Sequence, residues 1–323
     1  MNSGRDARPL RLGTRRSKLA VSQSGHVADA VRAVTGRPVE LVEITTYGDV
    51  SREHLAQIGG TGVFVGALRD ALQRGEVDFA VHSLKDLPTA QPEDLVIAAM
   101  PRREDPRDAL VARDGLRFEE LPDGARVGTG SPRRMAQLNA WARNLGKRIE
   151  TVPIRGNVDT RIGFVTDGEL DAVVLAAAGL NRIGRGDEAT DLIAVDHVLP
   201  APGQGALAVE CLASNADLIA ELAVLDDPHT RAAVTAERTL LAALEAGCSA
   251  PVGAFADLLG DGQNATEMRL RGVVGTLDGA TLVQLSTTGP VPGSSEEATA
   301  FGRGLADEML AKGAAGLMGE RVL

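Results

Sequence analysis

The sequence predicts an α/β protein with two parallel-sheet domains followed by a smaller α+β domain. Three observations predict this fold. Over about the first 200 residues, short apolar runs alternate with segments whose apolar residues recur at helical spacing. Two stiff segments, 102–108 and 199–205, interrupt this alternation, and the amino-acid composition changes after Asp226. Alternating strands and helices build parallel sheets with helices on both faces, and 323 residues are too many for one ordinary core.

The first domain begins with a β-α-β-α-β pattern. The predicted strands are Leu10 to Gly13, Val39 to Ile44 and the apolar run from Val77 to Val81. The first helix follows Ser17 as its N-cap, and the second runs from Phe64 to Leu72 before Gly75 ends it. Between them, Thr45 to Gly62 has no clear period and contains a glycine run, which is typical of a lid or binding loop.

The second domain repeats this pattern after the charged segment. Its predicted elements are strands at Arg126 to Gly128, Ile149 to Ile154 and Leu170 to Ala176, and helices at Pro132 to Arg143 and Val158 to Thr166. After the second connector, Ala206 to Cys211 predicts one more strand, so we expect the chain to cross out of the first domain and return. No sequence repeat is strong enough to indicate internal duplication.

The third domain is expected to combine helices with a small sheet. Its predicted elements are helices at Thr230 to Glu245 and Ser295 to Lys312, and strands at Met268 to Val274 and Thr281 to Thr287. The predicted boundaries are 1–101 with 200–224 for the first domain, 102–199 for the second and 225–323 for the third.

Composition excludes several classes of protein. Hydrophobic residues at 44% and charged residues at 24% are globular values, and a net charge of −10 argues against a nucleic-acid or membrane surface. The longest apolar run, Ala172 to Leu180, is too short to span a bilayer. Four arginines before Arg16 and no apolar segment there argue against a secretory signal, so we expect a cytoplasmic protein. No cysteine or histidine spacing indicates a metal site.

The segment from Val81 to Pro88 carries the clearest sign of chemistry. It places Ser83, Lys85 and Asp86 directly after a buried strand, and ligands bind outside the carboxyl ends of strands in open α/β sheets. Among cations, Asp86 is expected to stay ionised, which suits the stabilisation of a developing positive charge. The alternative is that Asp86 only forms a salt bridge that holds Lys85.

Cations also cluster where three predicted helices begin. The clusters are Arg15-Arg16-Ser17-Lys18, Ser131-Pro132-Arg133-Arg134 and Arg155-Gly156-Asn157 with Arg161. A helix amino terminus already carries a partial positive charge, so arginines there favour a bound anion. The alternative is that they reach solvent or pair with the abundant acids. Taken together, the clusters predict an elongated polyanionic ligand.

Two further residues are open to more than one interpretation. Cys248 follows the helix-stop glycine at 247 and lies in a predicted loop, although a free cysteine is usually a small buried hydrophobe. His82 is placed at a strand end as a base would be, although a histidine held by structural contacts is the simpler interpretation.

These motifs, in this order, resemble the hydroxymethylbilane synthase (porphobilinogen deaminase) family over essentially the whole chain. The matching stretches are Thr14 to Ser17, Thr46 to Asp49, Phe79 to Pro88, Arg103 to Asp108, Gly128 to Arg134, Arg155 to Arg161, Ala178 to Arg182, Pro202 to Gly205, Thr235 to Arg238 and Gly247-Cys248. The resemblance implies two domains folded like periplasmic binding proteins with parallel or mixed sheets, a central cleft between them, and a small α+β carboxyl-terminal domain.

The resemblance also implies the chemistry. Members join four porphobilinogen molecules head to tail with loss of ammonia and release a linear tetrapyrrole, hydroxymethylbilane, by hydrolysis. A dipyrromethane made from substrate serves as the primer, held by a thioether to the residue that matches Cys248. Asp86 would hydrogen-bond pyrrole N–H groups and stabilise the cation formed when ammonia leaves. The implied role is a transferase of haem and tetrapyrrole biosynthesis. From the residues themselves, we expect a monomer that uses no metal, since no long exposed apolar helix demands a partner and no ligand spacing indicates a metal site.

The remaining site residues also come from the resemblance. Those implied to bind cofactor and substrate, largely through acetate and propionate groups, are Arg15, Ser17, Gln23, Ser83, Lys85, Thr129, Ser131, Arg133, Arg134, Arg155, Gly156, Arg161, Arg182 and Gln204. Phe64 and Asp49 are assigned to the lid. The chain departs from the family's commoner residues at Gln57, Thr61, Gly130 and Pro132, where lysine, lysine, serine and leucine are usual.

Two other classes of function remain open from the residues alone. One is a non-catalytic protein that binds a dicarboxylate or oligoanion with the same two-lobed architecture. The other is a phosphate-ester enzyme that uses the arginine clusters, although the sequence has neither a metal-binding acid cluster nor a phosphate loop.

Overall fold

The computed structural model describes residues 8–44, 62–244, 250–260 and 265–318. The chain forms two compact units, one of Met1–Arg103 with Ala206–Pro228 and one of Glu104–Gly205 with His229–Leu323. No helix within the described ranges is both long and apolar enough to cross a membrane. The three-domain boundaries drawn from the sequence stay predictions.

The first unit is built on a five-stranded mixed sheet. Its strands are β1 (Leu10–Thr14), β2 (Val39–Glu43), β3 (Phe79–Ser83), β4 (Leu95–Ala99) and β10 (Leu207–Leu212), in the order β2-β1-β3-β10-β4. Strands β1, β2 and β3 are parallel, and β10 pairs antiparallel with both β3 and β4. The predicted return strand is thus confirmed, while β4 was missed.

Helices cover both faces of this sheet. They are α1 (Lys18–Thr35), α2 (Gly62–Gln73) and α6 (Ala216–Leu222). Because side chains alternate along a strand, Phe79 packs on the face with α1 and α6, and Ala80 packs on the face with α2. Ser17 caps α1 by accepting from the amide of Ala20 at 3.2 Å, and Gly36 ends it at φ 69°.

The second unit contains a sheet with the same arrangement. Its strands are β5 (Asp108–Ala112), β6 (Ala125–Gly128), β7 (Ile149–Val152), β8 (Ala172–Ala176) and β9 (Asp191–Ile193), in the order β7-β6-β8-β5-β9. Strands β6, β7 and β8 are parallel, and β5 is antiparallel to β8 and β9. The two sheets share one topology, which the sequence did not reveal as a repeat.

The helices of this sheet are α3 (Pro132–Asn144), α4 (Val158–Thr166) and α5 (Ala177–Arg182). They bury apolar side chains against its two faces, with Leu138 and Trp141 on one side and Ile162 on the other. Each helix follows a parallel strand directly, so its amino terminus lies at the carboxyl edge of the sheet.

The rest of the second unit is a small α+β layer. Strands β11 (Val252–Leu259), β12 (Glu267–Gly275) and β13 (Leu282–Pro290) form an antiparallel sheet packed against α7 (Pro228–Ala243) and α8 (Ser295–Ala311). The predicted mixed α/β class and the small α+β addition are confirmed. Strand β11 was missed, and the predicted helices differ from α7 and α8 by one or two residues at their ends.

Candidate active site

In the first unit, two groups of predicted residues lie at one edge of the sheet. Strands β1 and β3 are parallel neighbours that end at Thr14 and Ser83. The polar segments that follow them, 15–17 and 84–86, therefore start side by side. The prediction that Ser83, Lys85 and Asp86 lie at the carboxyl end of a strand is thus confirmed.

Gln23 and Ser83 are in direct contact at this edge. Gln23 is buried on α1, and its Nε2 and Oε1 atoms lie 2.9 and 3.2 Å from the Ser83 hydroxyl. This contact joins the helix that follows β1 to the end of β3. Both residues are among those assigned to ligand binding by the resemblance.

Lys85 and Asp86 lie on a single turn of 3-10 helix, Leu84–Asp86. The turn is closed by a hydrogen bond from the Leu87 amide to the Leu84 carbonyl at 3.1 Å, and the Leu84 amide donates to the Ala206 carbonyl at 3.0 Å. Both charged residues are half-buried. The backbone is thus tied to the sheet on both sides of the turn, which fixes the position from which Lys85 and Asp86 extend.

Directly before this turn, His82 belongs to a buried ionic network. Its Nε2 lies 3.1 Å from Glu210, which also accepts from the Arg69 guanidinium at 2.8 Å and from Gln91 at 2.9 Å. Burial alone would raise the pKa of Glu210, but the contacts with His82 and Arg69 outweigh it and hold the pKa at about 2. The geometry favours the structural interpretation of His82 over a catalytic base.

The Glu210 network gives a prediction about acid stability. A glutamate has a pKa of about 4.3 in an unfolded chain, so lowering it to about 2 contributes roughly 3 kcal/mol of stability at neutral pH. That contribution is present above about pH 4.3 and is lost as the pH falls through 2. We expect Glu210→Gln to lower the free energy of unfolding at pH 7 by about that amount, measured by urea titration, and to flatten its fall between pH 5 and pH 2.

The matched control is Glu76→Gln, because Glu76 is exposed and forms an ion pair with the exposed Arg74. It should leave the urea midpoint unchanged. A Glu210→Gln chain with the wild-type midpoint and the wild-type acid profile would contradict the role given to this network.

In the second unit, three parallel strands bring predicted residues to one edge. Strand β6 leads to Thr129 and Ser131, β7 leads to Arg155, and β8 leads into α5, which ends at Arg182. The Ser131 hydroxyl caps α3 by accepting from the Arg134 amide at 3.5 Å, and the Ser131 amide donates to Thr129 at 3.2 Å. The amino termini of α3 and α4 therefore lie at neighbouring strand ends.

Gly130 is required by the close approach of the two loops after β6 and β7. A Cβ atom there would lie 2.6 Å from the carbonyl oxygen of Ile154, a distance that side-chain carbons do not tolerate. This contact accounts for the glycine at position 130 of this chain. The loop before α3 is packed on the backbone that leads to Arg155.

We expect Gly130→Ala to destabilise the protein by about 1–3 kcal/mol, because the Ile154 carbonyl must move. Gly163→Ala is the control, since Gly163 lies within α4 and its Cβ would meet nothing closer than 3.9 Å. That change should be neutral or stabilise by up to about 1 kcal/mol. Urea unfolding of both variants checks this, and equal midpoints for the two would refute the packing argument.

Four residues of the second unit form a buried ionic group that we call the Asp108 cluster: Asp108, Arg133, Arg134 and Gln204. Asp108 is fully buried and accepts from Arg133 at 2.9 Å, from Arg134 at 2.7 Å and from the Gln204 amide at 2.8 Å. The two guanidinium groups hold the pKa of Asp108 far below its ordinary value, although burial opposes this. For Arg133 and Arg134, pairing with an acid is therefore observed.

The other predicted residues of this unit lie at the same edge. Gly156 has φ 114° and leaves no room for a side chain, since a Cβ would lie 2.9 Å from Thr160. Its carbonyl accepts from the Nε of Arg161 at 2.9 Å. Arg182 donates to the Gly205 carbonyl at 2.6 Å, while Arg155 is exposed and forms no hydrogen bond or ion pair with the described part of the chain.

Three predicted residues need separate mention. Asp49 and Cys248 lie outside the described residues, as does most of the predicted lid. Phe64 lies near the start of α2. Sequence reasoning missed Asp108, because the charged segment that ends with it was interpreted as a linker. The signal available was an acid that opens the apolar run Asp108–Ala112 in a protein with paired arginines.

Comparison with known proteins matches the chain to two family models. The model described as "Porphobilinogen deaminase, dipyromethane cofactor binding domain" matches residues 10–220, and "Porphobilinogen deaminase, C-terminal domain" matches residues 231–311. The chain belongs to the porphobilinogen deaminase family. It therefore contains the family's dipyrromethane cofactor binding domain.

The curated relatives agree with this assignment. Porphobilinogen deaminase 1 of Streptomyces avermitilis is 80% identical over 317 residues, which cover 97% of this chain and 98% of that protein. Porphobilinogen deaminase of Thermobifida fusca is 58% identical over 310 residues, covering 95% and 94%. Among solved structures, the chain is similar to immunogenic lipoprotein A of Vibrio vulnificus at 12% identity and a TM-score of 0.42, over 67% of this chain and 94% of that one.

The described residues of the second unit suit a cofactor that carries carboxylates. The Nε atoms of Arg133 and Arg134 are buried and have no acceptor in the described part of the chain. Two arginines facing one carboxylate leave a net charge of +1 in the Asp108 cluster. Arg155 adds a further cation without a partner in the described ranges. Unmet donors and surplus positive charge are what an acetate or propionate group would satisfy.

Proposed function

We propose that this chain is a transferase that joins four porphobilinogen molecules head to tail on a covalent dipyrromethane primer and releases hydroxymethylbilane by hydrolysis. The observation that carries the proposal is 80% identity to porphobilinogen deaminase 1 of Streptomyces avermitilis over 97% of this chain. The turn with Lys85 and Asp86 supports it, because Asp86 lies just after the carboxyl end of β3, where ligands bind in open α/β sheets.

Asp86 is proposed as the catalytic residue. When ammonia leaves porphobilinogen, positive charge develops on the pyrrole, and an ionised carboxylate held on a fixed turn stabilises that charge without reorganising. The same carboxylate accepts hydrogen bonds from pyrrole N–H groups, which orients the ring. The backbone hydrogen bonds from Leu84 and Leu87 keep the turn in place during this step.

Cys248 is proposed to hold the primer through a thioether. The bound dipyrromethane would supply the terminal pyrrole carbon to which each new unit is joined. Arg15, Lys85, Arg133, Arg134, Arg155, Arg161 and Arg182 are proposed to bind the acetate and propionate groups, with Ser17, Gln23, Ser83, Thr129, Ser131, Gly156 and Gln204 assisting. Asp49 and Phe64 are proposed as parts of the lid.

We further propose that the protein acts as a monomer in the cytoplasm. The large apolar side chains exposed in the described part of the chain, Val34, Leu41, Leu145, Leu192, Val224 and Leu277, lie on different elements or connecting segments of the two units. Val34 and Val224 line one pocket of the first unit, and the other four lie on separate segments. Apolar groups of this size need no partner to cover them. Sedimentation equilibrium of the purified chain measures the oligomeric state.

The experiment that tests the proposed function is the stoichiometry of ammonia release. The purified chain is incubated with porphobilinogen, and ammonia and linear tetrapyrrole are measured together. We expect one ammonia for each porphobilinogen consumed and one tetrapyrrole for every four. Saturable binding of porphobilinogen without ammonia would instead indicate a non-catalytic binding protein and would refute the proposal.

A further inference from the structure

The Asp108 cluster has more positive charge than its own acid can neutralise. Asp108 and the two arginine side chains are at most 6% exposed, so water does little to compensate them. Each carboxylate oxygen of Asp108 accepts from a different arginine, Oδ2 from Arg133 and Oδ1 from Arg134. The count of one negative and two positive charges leaves a surplus of one.

The remaining donors of the cluster are only partly satisfied. Arg133 also donates to the Leu199 carbonyl at 2.6 Å, and Arg134 donates to the Val174 carbonyl at 2.9 Å. Carbonyl groups satisfy N–H donors but carry no net charge. The two Nε–H groups have no acceptor in the described ranges. A buried cation without a counter-charge is costly, so the cluster is complete only when an anion joins it.

We infer that Asp108 is a positioning residue that cancels one of the two arginine charges, so that Arg133 and Arg134 together bind one carboxylate of the ligand rather than two. Asp108 also sets the geometry of the two arginines. Its Oδ2 atom holds the Arg133 guanidinium and its Oδ1 atom holds the Arg134 guanidinium, so both groups are fixed around the Asp108 carboxylate. The identity of the ligand rests on the proposed function, whereas the number of anions follows from the charges alone.

A purely structural role for Asp108 is the competing interpretation. Asp108 begins β5, and the carbonyls of the two residues before it, Pro106 and Arg107, accept from Gln204. In that case, replacing Asp108 would weaken the fold in every buffer equally. If Asp108 sets the charge balance, replacement creates a demand for a second anion, and added anion offsets the loss.

The test measures how many acetate ions the chain takes up on folding. Urea unfolding of the full chain is followed across a series of sodium acetate concentrations. At concentrations that saturate the acetate sites of the folded chain, the slope of ln K for folding against ln[acetate] gives the number of acetate ions taken up. We expect Asp108→Asn to take up one acetate more than the wild type. At low acetate its melting temperature should fall by roughly 10 °C, and acetate should recover most of that fall.

Asp257→Asn is the matched control. Asp257 also faces two arginines, Arg269 at 2.7 Å and Arg271 at 3.5 Å, but Arg271 keeps a second acid, Asp196, at 2.6 Å. Asp257 is also 23% exposed, so water can replace the lost carboxylate. We expect it to take up no additional acetate. Intact mass shows whether each preparation carries an adduct, and the Cys248→Ala chain is the reference for any variant that carries none.

The double variant Asp108→Asn with Arg133→Gln keeps the net charge of +1 and serves if the single variant does not fold. We expect it to fold and to take up the wild-type number of acetate ions. The inference would be overturned by any of three results. These are a folded Asp108→Asn chain that takes up the wild-type number of acetate ions, an equal gain of acetate in Asp257→Asn, and a double variant whose acetate uptake differs from wild type by one ion. Failure of ammonia release by the wild type would refute only the proposed function.

Discussion

Replacing Asp86 with asparagine is expected to lower kcat by roughly 10²–10³-fold, because the neutral amide cannot stabilise the positive charge that develops when ammonia leaves. Asp86 is half-buried on the Leu84–Asp86 turn, so the same change should leave the melting temperature nearly unchanged. Initial rates of ammonia release, divided by the fraction of chain that carries an adduct, give kcat and KM for the comparison.

The split between kcat and KM separates two roles for Asp86. If the carboxylate only held Lys85 for binding a substrate carboxylate, Asp86→Asn would raise KM and keep kcat. A lowered kcat with a similar KM supports stabilisation of the cation. Glu93→Gln is the control, since Glu93 is an exposed acid in the same unit, and both of its constants should match the wild type. Retention of kcat in Asp86→Asn would remove Asp86 from the catalytic step.

Replacing Cys248 with alanine is expected to abolish the covalent adduct and, with it, detectable formation of tetrapyrrole. The expectation follows from the proposed thioether, because alanine offers no sulfur to which a primer can be attached. Intact-protein mass spectrometry after incubation with porphobilinogen measures the adduct, and product absorbance measures turnover.

Cys211→Ala is the matched control for the cysteine prediction. Cys211 is fully buried in β10, and burial raises the pKa of its thiol to about 11, so little thiolate is available to react. The Cys211→Ala chain should keep both the adduct and turnover. An adduct that persists in Cys248→Ala and disappears in Cys211→Ala would show that Cys211 carries the primer, which would contradict the proposed attachment at Cys248.

The strands that carry the site could be predicted because their sequence pattern is local. Phe79 to Val81 is an apolar run stopped by polar residues and Pro88, and Ser17 and Ser131 mark helix starts by their capping chemistry. Parallel pairing then brings such strand ends together without further information. Ser83 could be placed at this edge from the pattern, whereas Gln23, 60 residues away, was assigned to the site only by the family resemblance.

The Asp108 cluster could not be predicted in the same way, because its partners are set by tertiary pairing. Asp108 begins an antiparallel strand inserted between β8 and β9. The insertion brings the end of a charged segment into the core, although the sequence of that segment is typical of a linker. The strands β4, β5, β9 and β11 were missed for a related reason: none of them is followed directly by an α-helix that would mark a β-α unit.

The two sheets also share a topology that no repeat in the sequence indicated. In each, the fourth strand in sheet order is the antiparallel one, β10 in the first unit and β5 in the second. Burial constrains most positions of these strands to be apolar or small, although each strand also buries one acid, Glu210 in β10 and Asp108 in β5. Many residues satisfy that constraint, so the same arrangement leaves no recognisable similarity in sequence.

The most direct test of the central claim is the intact mass of the wild-type chain before and after brief incubation with porphobilinogen. The account predicts a chain heavier than its sequence by one dipyrromethane, then a series of species that each gain one further pyrrole unit, all absent from Cys248→Ala. A wild-type chain that keeps the mass of its bare sequence through the incubation would contradict the account.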